Sequence, residues 1–352
     1  PYALAEYKYS NIYDHEAADG SSSNFSDIFR TTGQGWKQPG STEAILRAPY
    51  IGANGSNWNF TKLWGVKMNG IVEHDALIHQ PTANYVNYYG MANGLPLDDP
   101  DSGFDPKHPF KDRDPRFYHD IVFDGFKYIN TTIDAVKEPK VAALQYMPMY
   151  SGSELRNSSS QGCRTGYYTQ KLVPHQANKY DGMYEWGGAL QCDLPYMRLA
   201  DLYLMYAEAG AAVQGANYKS SKLNLTAAEA INVLRERVKA GHVADKFMND
   251  QKKFMDEVRR ERAVELAFEG FRWNDLQRWL LLTEYPYNIK TSQEFKRVGN
   301  FDYTKNDPRD AEVTGWSEKT IVTRDFSEKH YLLPLKESDV YLYPEFGQNP
   351  GW

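Results

Sequence analysis

Residues 198–213 read RLADLYLMYAEAGAAV. Leu199, Leu202, Tyr203, Tyr206, Ala209 and Val213 recur at three- and four-residue spacing, which predicts a helix with one buried stripe. A second helix follows a polar gap. Thr226 and Glu229 form the S/T-x-x-E pattern, in which each side chain satisfies the other residue's free backbone N–H. Beyond them, 227–240 places Ile231, Leu234 and Val238 on one face, and Gly241 supplies a C-terminal stop. Asp250 is positioned to cap a third helix running through Phe268. Gly270 interrupts it, and 271–282 (FRWNDLQRWLLL) resumes helical spacing.

Working outward, the pair 198–213 and 227–240 has the form of one tetratricopeptide-like hairpin, with no second copy at a period of about 34 residues. Two helices cannot close a solenoid, so the hairpin is expected to leave an apolar face in need of cover. Toward the N-terminus the character changes. Gly, Ser, Asn and Pro cluster at 19–26, 33–41, 52–57 and 93–109, too often for long helices. Strand-like runs are expected at 118–123, 127–129 and 143–147, a short helix at 85–92, and a polar loop at 151–166. Near the C-terminus, 300–326 is polar and reads as loop. Pro334, Pro344 and Pro350 favour extended or turned backbone just before them. The expected organisation is a loop-rich part, 1–190, and a helical part, 191–352, with a mainly α fold class.

Composition narrows the function. The chain has 352 residues, of which 41% are hydrophobic and 24% charged, which excludes global disorder. Lys plus Arg number 40 and Asp plus Glu 46, a net charge of -6 with no basic block. Nucleic-acid binding begins with phosphate neutralisation, so that partner is excluded. The most apolar window, 199–213, is broken by Asp201 and Glu208, so no membrane-spanning helix is expected. The chain opens at Pro1 without a basic n-region or an apolar h-region, which reads as a removed targeting segment or a fragment.

No catalytic constellation stands out. Arg262, Glu265, Glu269, Arg272, Asp275 and Arg278 follow one another at three- and four-residue spacings or close to them, which makes a structural charge ladder. Paired glutamates are also the tools of glycosidases, but those enzymes keep one carboxyl raised, and adjacent arginines lower both. The eight histidines show no HExxH or other short ligand pattern. Asp98, Asp99, Asp101 and Asp105 surround Gly103 in an acidic turn whose oxygens suit calcium, yet the EF-hand spacing and terminal Glu are missing. No GxSxG, Walker A or GxGxxG pattern occurs. No cofactor is expected. Cys163 and Cys192 are the only thiols; a disulfide between them, in an oxidising compartment, would close a loop worth roughly 3–4 kcal/mol. Six N-x-S/T triplets occur, as chance allows in a chain rich in Asn, Ser and Thr.

The aromatics are the unusual feature. There are 26 Tyr, 16 Phe and 8 Trp, and rings with one apolar face and one polar tip serve half-wet binding surfaces. Trp36, Trp58, Tyr150, Trp186 and Trp316 sit beside Gly, Ser or Asn, outside the helical stripes. They are the candidate ligand residues, since a flat ring stacks on the C–H face of a sugar and binding residues concentrate on loops. The alternative is that each ring plugs its loop onto the core.

Six ordered stretches carry a resemblance. MANGLPLDDPDSGFD (91–105), RDPRF (113–117), TGYYTQK (165–171), RLADLYLMYAEA (198–209), EVRRERAVELAFEGFRWNDLQRW (257–279) and YLLPLKESDVYLYPEFGQNPGW (331–352) resemble the SusD/RagB family. The resemblance implies a mainly helical scaffold with tetratricopeptide-like helices, a ligand site of irregular loops, and no enzymatic activity. It also implies a lipoprotein at the outer-membrane surface, lying as a lid on a SusC-like TonB-dependent barrel and capturing an oligosaccharide or peptide. Members of the family are longer, beginning with a lipidated cysteine and helical repeats. The chain therefore reads as the middle and C-terminal part, with neither cysteine placed to be the anchor. The charged motif and the QNPGW tail are expected to staple helices together. The competing functions are a purely structural scaffold and a secreted glycosidase.

Overall fold

The computed structural model describes residues 2–9, 12, 25–29, 41–47, 65–68, 70–72, 79–157, 162–173, 178–181, 194–343, 345 and 347–352. The helical half follows its caps. Thr226 accepts from the Glu229 N–H at 3.1 Å, and the Glu229 carboxylate accepts from the Thr226 N–H at 2.6 Å, opening the Ala227–Arg237 helix. Asp250 accepts from the N–H groups of Lys252 and Lys253 and opens Gln251–Glu265. Arg198 is the N-cap of Leu199–Val213. The Leu199–Val213 helix packs against both of the others.

Its buried stripe is not the expected one. Ala200, Leu204, Ala207, Gly210 and Ala211 face inward, whereas Leu202, Met205 and Val213 are exposed. Small residues win the inner face because they let two helices approach closely. A Cβ on Gly210 would lie 2.9 Å from Ala227 Cβ and 2.7 Å from a Tyr218 ring carbon. The larger side chains are displaced to the flank and leave an apolar strip on the surface.

The helix ends also move inward. The third helix stops at Glu265 rather than Phe268, because Phe268 and Gly270 both adopt positive φ, 63° and 93°. This left-handed turn folds Glu269 back toward Arg198. Lys239 (φ 61°) and Leu280 (φ 56°) likewise end the neighbouring helices at Arg237 and Arg278.

In the N-terminal half, two expected strands contain helices. The 118–123 run is divided between a Pro115–Asp120 helix and a short strand, Ile121–Val122. Asp114 caps the helix through the Arg116 N–H, and Pro115 opens it, where its missing N–H is not needed. Likewise 143–147 falls largely in a helix, Pro139–Gln145, again opened by proline. Lys127 and Tyr146 form an isolated antiparallel bridge. The short helix expected at 85–92 is displaced to Ala83–Val86, with turns following it, and the polar loop at 151–166 contains a helical turn, Glu154–Asn157.

Three two-stranded antiparallel sheets complete the fold. Ala44–Arg47 pairs with Pro195–Arg198, and Ile121–Val122 with Tyr168–Thr169. The third corrects the reading of 300–326 as loop: Val313–Thr323 pairs along most of its length with Ile289–Arg297. Val313–Thr323 is exposed almost throughout, so hydrophobic alternation never marked it in the sequence. The main core joins Phe110, Phe117, Phe123 and Tyr167 to Val264, Phe295 and Val313. No helix among the described residues is long and apolar enough to cross a membrane.

Candidate functional site

The charged motif is core, not a solvated ladder. Glu265 is fully buried and Glu269 nearly so, and neither pairs with Arg262 or Arg272 along its own segment. Arg198 binds Glu265 at 2.7 Å, Glu269 at 2.8 Å and Glu43 at 2.5 Å. Arg237 joins Glu43 to Glu265, and Arg116 joins Glu261 to Glu265. Arg235, Glu257 and Arg260 extend the network at one end, Asp114 and Lys171 at the other. Six carboxylates (Glu43, Asp114, Glu257, Glu261, Glu265, Glu269) thus meet six cations (Arg116, Lys171, Arg198, Arg235, Arg237, Arg260). Burial alone raises the Glu261 carboxyl, but Arg116 and Arg235 outweigh it and hold it down to about 2. Arginines likewise hold Glu265 well below the usual carboxylate range against its burial. Carboxyls kept ionised on all sides by guanidiniums cannot serve as general acids. Arg262, Asp275, Arg278 and Glu208 make a second cluster, and Arg272 lies over the Tyr88 ring at 4.7 Å.

The Pro115–Asp120 helix connects this network to a cavity of about 790 Å³. Arg116 points into the network, while Pro115, Tyr118 and His119 line the cavity. The size suits a short oligomeric ligand. Tyrosines from four separate stretches wall it: Tyr7 and Tyr9, Tyr118, Tyr146, and Tyr303. Tyr7 and Tyr9 meet edge to face with centroids 4.8 Å apart, and Tyr146 and Tyr303 stack at 5.9 Å. Several hydroxyls are anchored. Tyr7 donates to the Pro115 carbonyl at 2.9 Å and Tyr118 to the Phe110 carbonyl at 2.6 Å. Tyr303 reaches Asp124 at 3.3 Å, with the Arg297 guanidinium 4.5 Å above its ring. Burial pushes the Asp124 carboxyl up, against the pull of Arg297. These three of the five rings are therefore held through their own hydroxyls.

One hydrolase-like geometry adjoins the cavity. Ser26 Oγ lies 2.9 Å from His119 Nε2, and His119 Nδ1 lies 2.7 Å from Asp120 Oδ1. Ser26 is fully buried, however, and its Oγ also meets the Tyr9 hydroxyl at 2.7 Å. A nucleophile must reach a substrate carbonyl, and this one is walled off.

Of the five loop aromatics singled out in the sequence, the two that are described do not meet at the cavity. Trp316 packs against Phe110 and Phe295, and Tyr150 lies under the Arg297 guanidinium beside the main core; neither lines the cavity. Trp36, Trp58 and Trp186 lie outside the described residues. Cys163 is a free, buried thiol 3.1 Å from the Tyr167 carbonyl, and Cys192 lies outside the described residues. In the acidic turn, the Lys246 ammonium sits 2.5 Å from Asp99 and 2.7 Å from Asp101 and pairs with both. The described residues hold no cluster of three or more His, Cys, Asp or Glu arranged for a metal ion. The tail behaves as a staple: Trp352 Nε1 donates to the carbonyls of Lys329 and Leu332, and Asn349 donates to that of Leu333. The cavity tyrosines were missed because five rings from four distant stretches leave no local motif; only the tyrosine count announced them.

The sequence model of the SusD family matches residues 42–352. A solved SusD-like protein of Bacteroides fragilis is similar over 100% of this chain and 59% of its own, with 21% identity and a TM-score of 0.64. A solved SusD-like carbohydrate-binding protein of the same species is similar over 94% of this chain and 58% of its own, with 21% identity and a TM-score of 0.58. The chain thus spans less than two thirds of the length of these relatives. No curated protein matches it.

Proposed function

The chain belongs to the SusD family, and from that premise we propose that it is a non-catalytic, glycan-capturing subunit at the cell surface, acting as a lid on a SusC-like TonB-dependent importer. The observation that carries this reading is the tyrosine-walled cavity. Its rings offer apolar faces to sugar C–H groups, with polar atoms at the rim for hydroxyls. The carbohydrate-binding character of one structural relative supports the same ligand class. The ionised, arginine-locked glutamates and the enclosed Ser26 support capture without turnover. Leu332, Leu333, Leu335, Tyr341 and Leu342 are all exposed, which supports a protein partner, because apolar surface of this extent marks contact sites. Trp36, Trp58 and Trp186 keep their proposed role as additional stacking rings.

Calorimetric titration of the full-length protein against polysaccharides and mixed peptides tests the proposal, with the mixtures checked afterwards for cleavage. The expected result is saturable glycan binding without products. Tyr303→Ala should weaken it by about three- to tenfold, the value of one lost aromatic contact. Cleaved product would overturn the capture role. Glycan binding that ignores Tyr303→Ala and Tyr146→Ala would move the site elsewhere.

A further inference from the structure

The hairpin of Ile289–Arg297 and Val313–Thr323 ends in a long tip, 298–312, and the consecutive residues 303–309 of that tip line the cavity. We infer that Gly125, which does not itself line the cavity, is the positioning residue for this wall. Its bare backbone is the seat on which Tyr303 and Pro308 rest, and glycan affinity depends on it. The inference rests on the cavity being the glycan site, as proposed above, and adds how one of its walls is held.

Gly125 lies in a buried turn. The Phe126 N–H donates to the Phe123 carbonyl at 3.1 Å across it, and the Gly125 N–H donates to the Met147 carbonyl at 2.8 Å. The φ of 83° is left-handed, which glycine adopts without steric cost. Space demands glycine as well. A Cβ here would collide with Cε1 of Tyr303, and would lie 2.9 Å from Cδ1 of the same ring and 3.0 Å from Pro308 Cβ. The ring has little room to yield. The Arg297 guanidinium lies 4.5 Å from its centroid, Tyr146 stacks on it at 5.9 Å, and Phe301 meets it edge to face at 4.9 Å. Its hydroxyl reaches Asp124 at 3.3 Å. Asp124 is fixed in turn by Arg297 at 2.8 Å and by the Met149 N–H at 2.7 Å. One residue of the turn thus holds the hydroxyl end of Tyr303, and the next supports its ring.

The tip's own bonds shape it more than they fasten it. Asp302 accepts from the Thr304 N–H at 3.0 Å and from the Thr304 hydroxyl at 2.6 Å, and Asp307 accepts from the Arg309 N–H at 2.9 Å. These partners all lie within the tip. The Lys111–Asp310 pair crosses to the rest of the protein at 2.8 Å, but both side chains are more than half exposed, and such pairs contribute little. Arg309 adds a guanidinium 5.4 Å from the Tyr118 ring centroid. Pro308 is the buried residue of the turn Pro308–Asp310, and like Tyr303 it rests on Gly125. A wall resting at two points on one glycine must shift when that glycine gains a side chain.

The test titrates the full-length protein and its variants with malto-, cello- and xylo-oligosaccharides, keeping whichever binds the parent protein most tightly. Gly125→Ala should weaken binding about three- to tenfold, as much as Tyr303→Ala. Gly152→Ala is the control. Gly152 has a φ of 91° and open space where a Cβ would stand, so the variant carries backbone strain without a collision and should leave affinity unchanged. On a Tyr303→Ala background, Gly125→Ala should cost little more, because the ring it displaces is gone. Losses that add in full would overturn the inference, since Gly125 would then act by a route other than Tyr303. Full affinity in Gly125→Ala, with affinity still lost in Tyr303→Ala, would also overturn it and leave the cavity as the glycan site. If Gly125→Ala does not fold, the double variant decides. A folded double variant assigns the failure to the collision and supports the seat; an unfolded one assigns it to the backbone angle and overturns the seat. Binding indifferent to Tyr303→Ala and Gly125→Ala alike would instead overturn the cavity as the glycan site.

Discussion

Arg198 shows how much one side chain organises. Its guanidinium touches three carboxylates, Glu43 from the strand region near residue 44 and Glu265 and Glu269 from the end of the third helix and the turn after it. Such a network pays a desolvation cost, and it holds only while every charge keeps its partner. Acid is therefore its weak point, and Glu261 sets the window. The folded carboxyl is held down to about 2, below the ordinary value of 4.5. The stabilisation is fully present above the ordinary value and is lost as pH falls through the folded one. For this group alone it is on the order of 3 kcal/mol. Glu257 and Glu265 are shifted the same way. Urea midpoints measured at falling pH should hold near neutrality and drop steeply below about pH 4.5. A midpoint that stays flat down to about pH 2.5 would mean the buried carboxylates are not ionised as described.

At the scale of elements, the hairpin between Leu199–Val213 and Ala227–Arg237 depends on close approach at Gly210. Gly210→Val adds a branched side chain where Ala227 and Tyr218 already stand. Overpacking of this kind costs about 1–3 kcal/mol, measurable as a lowered denaturant midpoint. A midpoint equal to that of the parent would show that the helices can separate there without penalty. The existence of this hairpin was legible in the sequence, because the capping box and the Asp250 cap are local chemistry. Its inward face was not. Leu202, Met205 and Val213 look like core by hydrophobicity, but packing distance selected Ala200, Ala207 and Ala211. The Val313–Thr323 strand was illegible for a related reason: its partner, not its own pattern, makes it a strand. The Pro115–Asp120 helix was readable from Asp114 and Pro115, though the apolar run after it suggested a strand. The cavity lay beyond any local reading, since its walls meet only after the chain has folded.

Over the whole molecule, the charge network ties the loop-rich sequence to the helical one. Glu43, Arg116 and Lys171 come from the first, and their partners Arg198, Arg237, Glu261, Glu265 and Glu269 from the second. The main core crosses the same divide, with Val264, Phe295 and Val313 packed among residues 66–168. Neither part can open without exposing unpaired charge and apolar surface together, so the two should unfold as one cooperative unit. Trp316, wedged against Phe110 and Phe295, reports on the shared core, while far-ultraviolet dichroism is dominated by the C-terminal helices. Denaturant curves from tryptophan fluorescence and from dichroism should therefore superimpose, with one midpoint and one slope. If fluorescence changes at lower denaturant than helicity, the loop-rich part detaches first. The buried ion pairs between the parts would then be too weak to couple them, and the cavity, whose walls are held by that coupling, would open before the helices melt.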